Sequence, residues 1–219
     1  MQRLKVGVLI SGRGSNLQAL IDAAAEPAYP AEIALVISNR ADAAGLERAA
    51  KAGIPHLTIG HPSRESFAQA ADAALREHGA GVVALAGYMR ILDIGFVEAW
   101  RDRLLNIHPS LLPAFPGLHP QRQALAAGVR FSGCTVHFVR AEIDTGPIIA
   151  QAAVPVHDDD DEEGLAARIL EAEHRLYPLA VRLFAERRLR IEGNRVAIAG
   201  GRPPELTLFN PEALASSGG

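Results

Sequence analysis

The chain has 219 residues, 48% of them hydrophobic and 21% charged, and a net charge of -3. That composition suits one soluble α/β domain with a substantial core, and the lack of a basic excess argues against nucleic-acid binding. A single cysteine, Cys134, excludes an internal disulfide framework, and no apolar run approaches the roughly 20 residues of a membrane span.

In chain order, Leu4 to Ile10 reads as a buried strand. Its apolar core, Val6 to Ile10, is too short for a signal peptide and runs into Ser11-Gly12-Arg13-Gly14, so a cytoplasmic protein is expected. Ser15 to Ala25 has helical spacing through Leu17, Leu20, Ile21 and Ala24. Ile33 to Ser38 is a second strand, and Ala43 to Ala52 a helix stopped by Gly53. His56 to Ile59 is a short strand. Ser63 is the expected N-cap of a helix reaching His78, and Gly81 to Ala86 is another buried strand. This alternation predicts a Rossmann-like, doubly wound, mostly parallel sheet.

The rhythm changes after Leu105. Gly133 to Val139 and Pro147 to Val156 alternate as strands and are expected to pair antiparallel toward one edge. Cys134 reads as a packed strand residue rather than a nucleophile. Glu162 to Ala185 is a long amphipathic helix with Leu165, Ile169, Ala172, Leu176, Ala180 and Leu183 on one stripe, which Pro178 is expected to kink or divide. Leu189 to Ile191 and Arg195 to Ile198 flank a Gly193-Asn194 hairpin turn, and Pro211 to Gly219 reads as a frayed end.

Four segments carry chemistry, each with a plainer alternative. Ser11-Gly12-Arg13-Gly14-Ser15-Asn16 joins a strand to a helix N-terminus, where free N–H groups and glycine backbone suit a phosphate; the alternative is a tight turn with Ser15 or Asn16 as a cap. It lacks the Lys-Ser/Thr pair of a P-loop and the acidic residue of a dinucleotide fold, although Arg40 keeps an NADP reading open. Gly87-Tyr88-Met89-Arg90-Ile91-Leu92 either lines a flat heterocycle or packs as a core loop. Leu105-Asn106-Ile107-His108-Pro109 places an amide and an imidazole on one face of a strand end, suited to an oxyanion and to proton transfer, or else to a polar turn. Asp144, before the Gly146-Pro147 turn, either supports a cationic His108 or is an ordinary turn aspartate. The acidic run Asp158 to Glu163 reads as a solvated loop, and eight histidines without ligand spacing predict no metal.

From about Val6 to Phe184 these segments, with Ser38-Asn39-Arg40-Ala41-Asp42-Ala43-Ala44-Gly45, resemble the phosphoribosylglycinamide formyltransferase family of folate-dependent enzymes. The resemblance implies the formyltransferase fold, with antiparallel edge strands, across a single domain of residues 1–219. Residues 1–100 would form a phosphate-binding half, 101–186 a catalytic and folate half, and 187–219 a C-terminal hairpin and tail. It implies transfer of a formyl group from 10-formyltetrahydrofolate, the cosubstrate, to glycinamide ribonucleotide, in a monomer or weak homodimer without metal, membrane or nucleic acid.

Gly14, Ser15, Asn16 and Glu173 match the ribonucleotide site. Arg64, Met89, Arg90, Ile91, Leu92 and Asn106 match the folate site, with Val97 and Ile143 as apolar wall. Asn106, His108 and Asp144 match the catalytic trio, and His119 and His137 match positions expected to orient it. Two departures stand out: Pro120-Gln121 after His119, in an expected loop from Pro113 to Gln121, and Leu170, apolar where some members carry a cation near the phosphate. The related methionyl-tRNA formyltransferases carry a further C-terminal domain and a basic surface, and formyltetrahydrofolate hydrolases an N-terminal regulatory domain, so both are expected to fit less well. A catalytically silent binding module is the rival from another class.

Overall fold

The computed structural model describes residues 2–60, 62–203 and 205–211. Strands β1 Leu4–Ile10, β2 Ala31–Ser38, β3 His56–Thr58, β4 Val82–Leu85 and β5 Leu104–His108 alternate with helices α1 Ser15–Ala25, α2 Ala44–Lys51, α3 Arg64–Glu77 and α4 Ile94–Ala99. After these come α5 Pro120–Ala126, β6 Phe131–Phe138, β7 Ile148–Pro155, α6 Glu162–Ala185, β8 Leu189–Glu192 and β9 Arg195–Ile198. All nine strands join one sheet in the order β3-β2-β1-β4-β5-β6-β7-β9-β8. The β3 to β5 side is parallel, with β1, β2, β4 and β5 largely buried and β3 an exposed edge, and β6 turns antiparallel to β5.

Two apolar layers cover the sheet. On one face α1 and α6 pack over a cluster that includes Leu17, Leu20, Leu165, Ile169 and Tyr177. On the other, α3 and α4 bury Phe67, Leu75, Phe96 and Trp100 against Leu9, Val83 and Leu104. The α3 start follows the predicted cap: Ser63 Oγ accepts from Ser66 N, and the Ser66 hydroxyl answers Ser63.

The structure departs from expectation in four places. The expected kink at Pro178 is absent: α6 runs unbroken for 24 residues, held where Tyr177 Oη donates to Leu85 O and Leu105 O. Tertiary anchoring there outweighs one missing backbone N–H. Two short helices were not anticipated. Asp93 caps α4 by accepting from Gly95 N, and Pro120 opens α5, so the expected loop from Pro113 gives way to helix at residue 120. The sheet also extends further, because the β8–β9 hairpin, itself antiparallel, continues it beyond β7 through the parallel pair Ile148–Arg195. Apart from Pro211, the expected frayed end lies outside the described residues.

Candidate active site

The strand order reverses between β1 and β4, the place where open α/β sheets leave a crevice beyond the strand ends. The loops that follow β1, β4 and β5 meet at that edge. Ser11 ties the first two together, accepting from Met89 N at 2.9 Å and donating to Asn39 Oδ1 at 2.6 Å.

Beyond β4 lies the imidazole and carboxylate cluster. Asn106 pairs across strands with His137, and His108 with Thr135, so all four side chains share one sheet face. On that face Leu104 belongs to the α3–α4 core cluster, and the polar side chains begin two residues on, past the helix cover. His108 is buried, with Nδ1 3.4 Å from Asp144 Oδ2 and Nε2 2.9 Å from Phe115 O. A ring carrying both protons satisfies both acceptors.

His137 closes the cluster from β6. Its Nδ1 lies 3.0 Å from Phe138 O, which places a proton there. Nε2 lies 3.2 Å from Asn106 Nδ2 and 3.6 Å from Asp144 Oδ1. Asp144 reaches both rings from a left-handed backbone, φ 56, and accepts from Gly117 N at 2.9 Å. Burial alone would raise its carboxyl. The bonds from His137 and Gly117 N–H, with the charges of His108 and His137, hold it below the ordinary value instead.

The loop after His108 is pinned to the sheet. Thr135 Oγ1 donates to Ser110 O and accepts from Leu112 N, while Gln151 Nε2 donates to Leu112 O and to Thr135 Oγ1. This fixes Phe115 and Gly117, which contact the trio through their backbones. Sequence reading missed both, because a backbone contact leaves no residue-type signal.

At the other end of the crevice, Gly14 adopts φ 71 and opens α1 at Ser15. Asn16 is buried and donates through Nδ2 to Glu173 Oε2 at 2.7 Å, while its Oδ1 is buried without a partner. Burial pushes the Glu173 carboxyl up to about 7, against the lowering effect of the Asn16 amide. Leu170 lies one turn earlier on α6, half-buried.

The remaining expected residues divide. Met89, Arg90 and Ile91 are exposed on the loop after β4, beside the crevice, and Ile143 is exposed next to Asp144. Leu92 and Val97 are instead buried in the α3–α4 cluster, so Val97 is core rather than wall, drawn in by the unforeseen α4. Arg64 is the exposed first residue of α3, and Arg40 is engaged by Asp42 at 2.6 Å. His119 does not orient the trio: its ring is exposed and lies 3.9 Å from Glu162, because it precedes α5 in a left-handed conformation.

Cys134 is fully buried, and burial pushes its thiol up to about 12. Among the described residues no group of three or more His, Cys, Asp or Glu is arranged to hold a metal ion, and no helix is long and apolar enough to cross a membrane.

Known proteins are similar to this chain in sequence and fold. A trifunctional purine biosynthetic protein adenosine-3 from Drosophila pseudoobscura pseudoobscura is 57% identical over 86% of the chain, which spans only 14% of that protein's length. A phosphoribosylglycinamide formyltransferase from Escherichia coli K12 is 47% identical over 92% of the chain and 96% of its own length. The crystal structure of glycinamide ribonucleotide transformylase 1 from Symbiobacterium toebii superposes with a TM-score of 0.88 at 56% identity, covering 90% of this chain and 94% of that one. The sequence profile of formyl transferases matches residues 4–181, and the chain belongs to the formyl transferase family.

Proposed function

We propose that this chain, in the cytoplasm, moves the formyl group of 10-formyltetrahydrofolate to the amine of glycinamide ribonucleotide, a step of purine biosynthesis. The observation that carries the reading is the buried cluster in which Asp144 sits between His108 and His137, with Asn106 alongside. The named relatives support the choice of reaction. Gly14, Ser15, Asn16 and Glu173 hold the ribonucleotide. Arg64, Met89, Arg90, Ile91 and Leu92, with Asn106, hold the folate, Leu92 through the loop's backbone since its side chain is core.

The amine nitrogen attacks the formyl carbon, a C–N bond forms, and the carbonyl electron pair moves to oxygen. Asn106 Nδ2 donates to that oxyanion, a contribution of about 10²–10³ in rate. His108 delivers the proton that Phe115 O holds in the free chain. As the tetrahedral intermediate collapses, the bond to N10 of the folate breaks, N10 takes that proton from His108, and the proton lost by the amine returns to the ring. Asp144, 3.4 Å from Nδ1, orients the ring and offsets its charge until that proton is passed. No step calls on a metal or a covalent enzyme intermediate.

The test is an assay of tetrahydrofolate release with and without glycinamide ribonucleotide. Release that depends on the ribonucleotide is expected, and His108→Ala is expected to lower kcat by about 10²–10⁴ while both substrates still bind. No release at saturation would overturn the reading. Release without the ribonucleotide would mark a hydrolase instead.

A further inference from the structure

The phosphate loop rests on a second helix. Gly45 N, in the first turn of α2, donates to Gly12 O at 3.0 Å. Gly14 packs so closely there that a Cβ on it would come within 2.6 Å of Gly45 Cα. One turn along α2, Arg48 reaches back across this contact. Its Nε donates to Arg13 O at 2.9 Å, and its Nη1 donates to Gln18 Oε1 at 3.2 Å. Gln18 is itself oriented, because its Nε2 donates to Asp22 Oδ1 at 2.7 Å. One guanidinium therefore grips the carbonyl before Gly14 and the side chain after Leu17. Those two points bracket the helix N-terminus on which the ribonucleotide reading depends. The half-buried Arg48 also borders a groove of about 570 Å³ shared with Ser15 and His174.

We propose that Arg48 is a positioning residue for ribonucleotide binding: its fork fixes the loop so that the N–H groups of Gly14, Ser15 and Asn16 keep their aim at the phosphate. The inference rests on reading that loop as the phosphate cradle. A backbone cradle binds an anion only while its donors converge, and a glycine-bearing loop released from its tie spends part of its time in other conformations. Apparent affinity falls by the fraction of competent loop. The folate side of the crevice does not depend on this tie. Lysine preserves the charge at residue 48, but a single ammonium cannot span two acceptors in the fixed geometry of the fork.

Steady-state kinetics on the full chain test the assignment. In Arg48→Met, KM for glycinamide ribonucleotide is expected to rise about tenfold, the scale of losing charge-assisted bonds at a partly solvated site. Both kcat and KM for the folate are expected to stay within about twofold, which separates loop aim from general damage. Arg48→Lys is expected to recover less than half of the loss on a logarithmic scale. Gln18→Met, on the outer side of α1, is expected to raise the same KM about threefold and serves if Arg48→Met fails to fold.

An unchanged ribonucleotide KM in these variants would overturn the proposal, as would full rescue by Arg48→Lys, which would reduce the role to charge. Ser15→Asp separates the two ideas by placing a negative charge in the cradle. If it leaves the ribonucleotide KM unchanged, the phosphate reading itself fails. If it raises that KM while the Arg48 and Gln18 variants do not, only the positioning role is lost.

Discussion

Two buried carboxylates at opposite ends of the crevice answer pH in opposite ways. Asp144 is surrounded by donors and positive charge, so its pKa is lowered and its share of stability is present above the ordinary 3.8 and lost as pH falls through the folded value. Glu173 has one amide donor and little water, so its pKa rises from 4.5 to about 7. Between those two values the folded chain holds a proton that the unfolded chain releases. The contribution is therefore full below 4.5 and is lost as pH climbs to about 7, a change of about 3 kcal/mol. Urea unfolding of the wild type and Glu173→Gln at several pH values checks this. The stability difference, wild type minus variant, is expected to shrink across that window. A difference that stays flat would show Glu173 ionising normally. As a cluster of residue types the trio was legible at this scale for Asn106 and His108, whereas Asp144 by itself read equally as a turn aspartate and joined them through the family resemblance. The carbonyl of Phe115 and the amide of Gly117, which complete it, were not legible.

At the scale of elements, the antiparallel side is fixed by close backbone approach. A Cβ at Gly146 would lie 1.6 Å from Phe138 O, a contact with backbone that no rotamer can relieve. The turn carrying Asp144 can lie against the end of β6 only because residue 146 is glycine. Gly146→Ala is expected to cost at least about 2 kcal/mol and to displace the carboxylate, lowering kcat along with stability. Chemical denaturation together with turnover reads both, and an unaltered midpoint would rule the contact out as a constraint. Long elements were readable because periodicity accumulates with length: β1, α1 and α6 have the bounds that the spacing predicts. The six-residue α4 and seven-residue α5 offered fewer than two full turns of pattern. Their signals were single residues, Asp93 as a cap and Pro120 at a first turn, which turns use equally well.

Across the whole molecule, stability is graded from the sheet centre outward. β1 and β4 are buried strands with neighbours on both sides, whereas the β8–β9 hairpin joins β7 through one residue pair and is mostly exposed or half-buried. Native-state hydrogen exchange is expected to show the hairpin amides opening first and those of β1 and β4 last, near the global unfolding free energy. Equal protection throughout would show the hairpin folding as one unit with the core. By itself the sequence determined the parallel half of the sheet, the glycine-bearing loop and the chemical types at the strand ends, because hydrophobic period and turn chemistry are local properties of the chain. Only the tertiary structure decided that His137 and Asp144 meet over Asn106, that Asn16 grips Glu173 across 157 positions of sequence, and that His119 turns away toward Glu162. Those outcomes depend on strand order and loop course, which no short window of residues encodes.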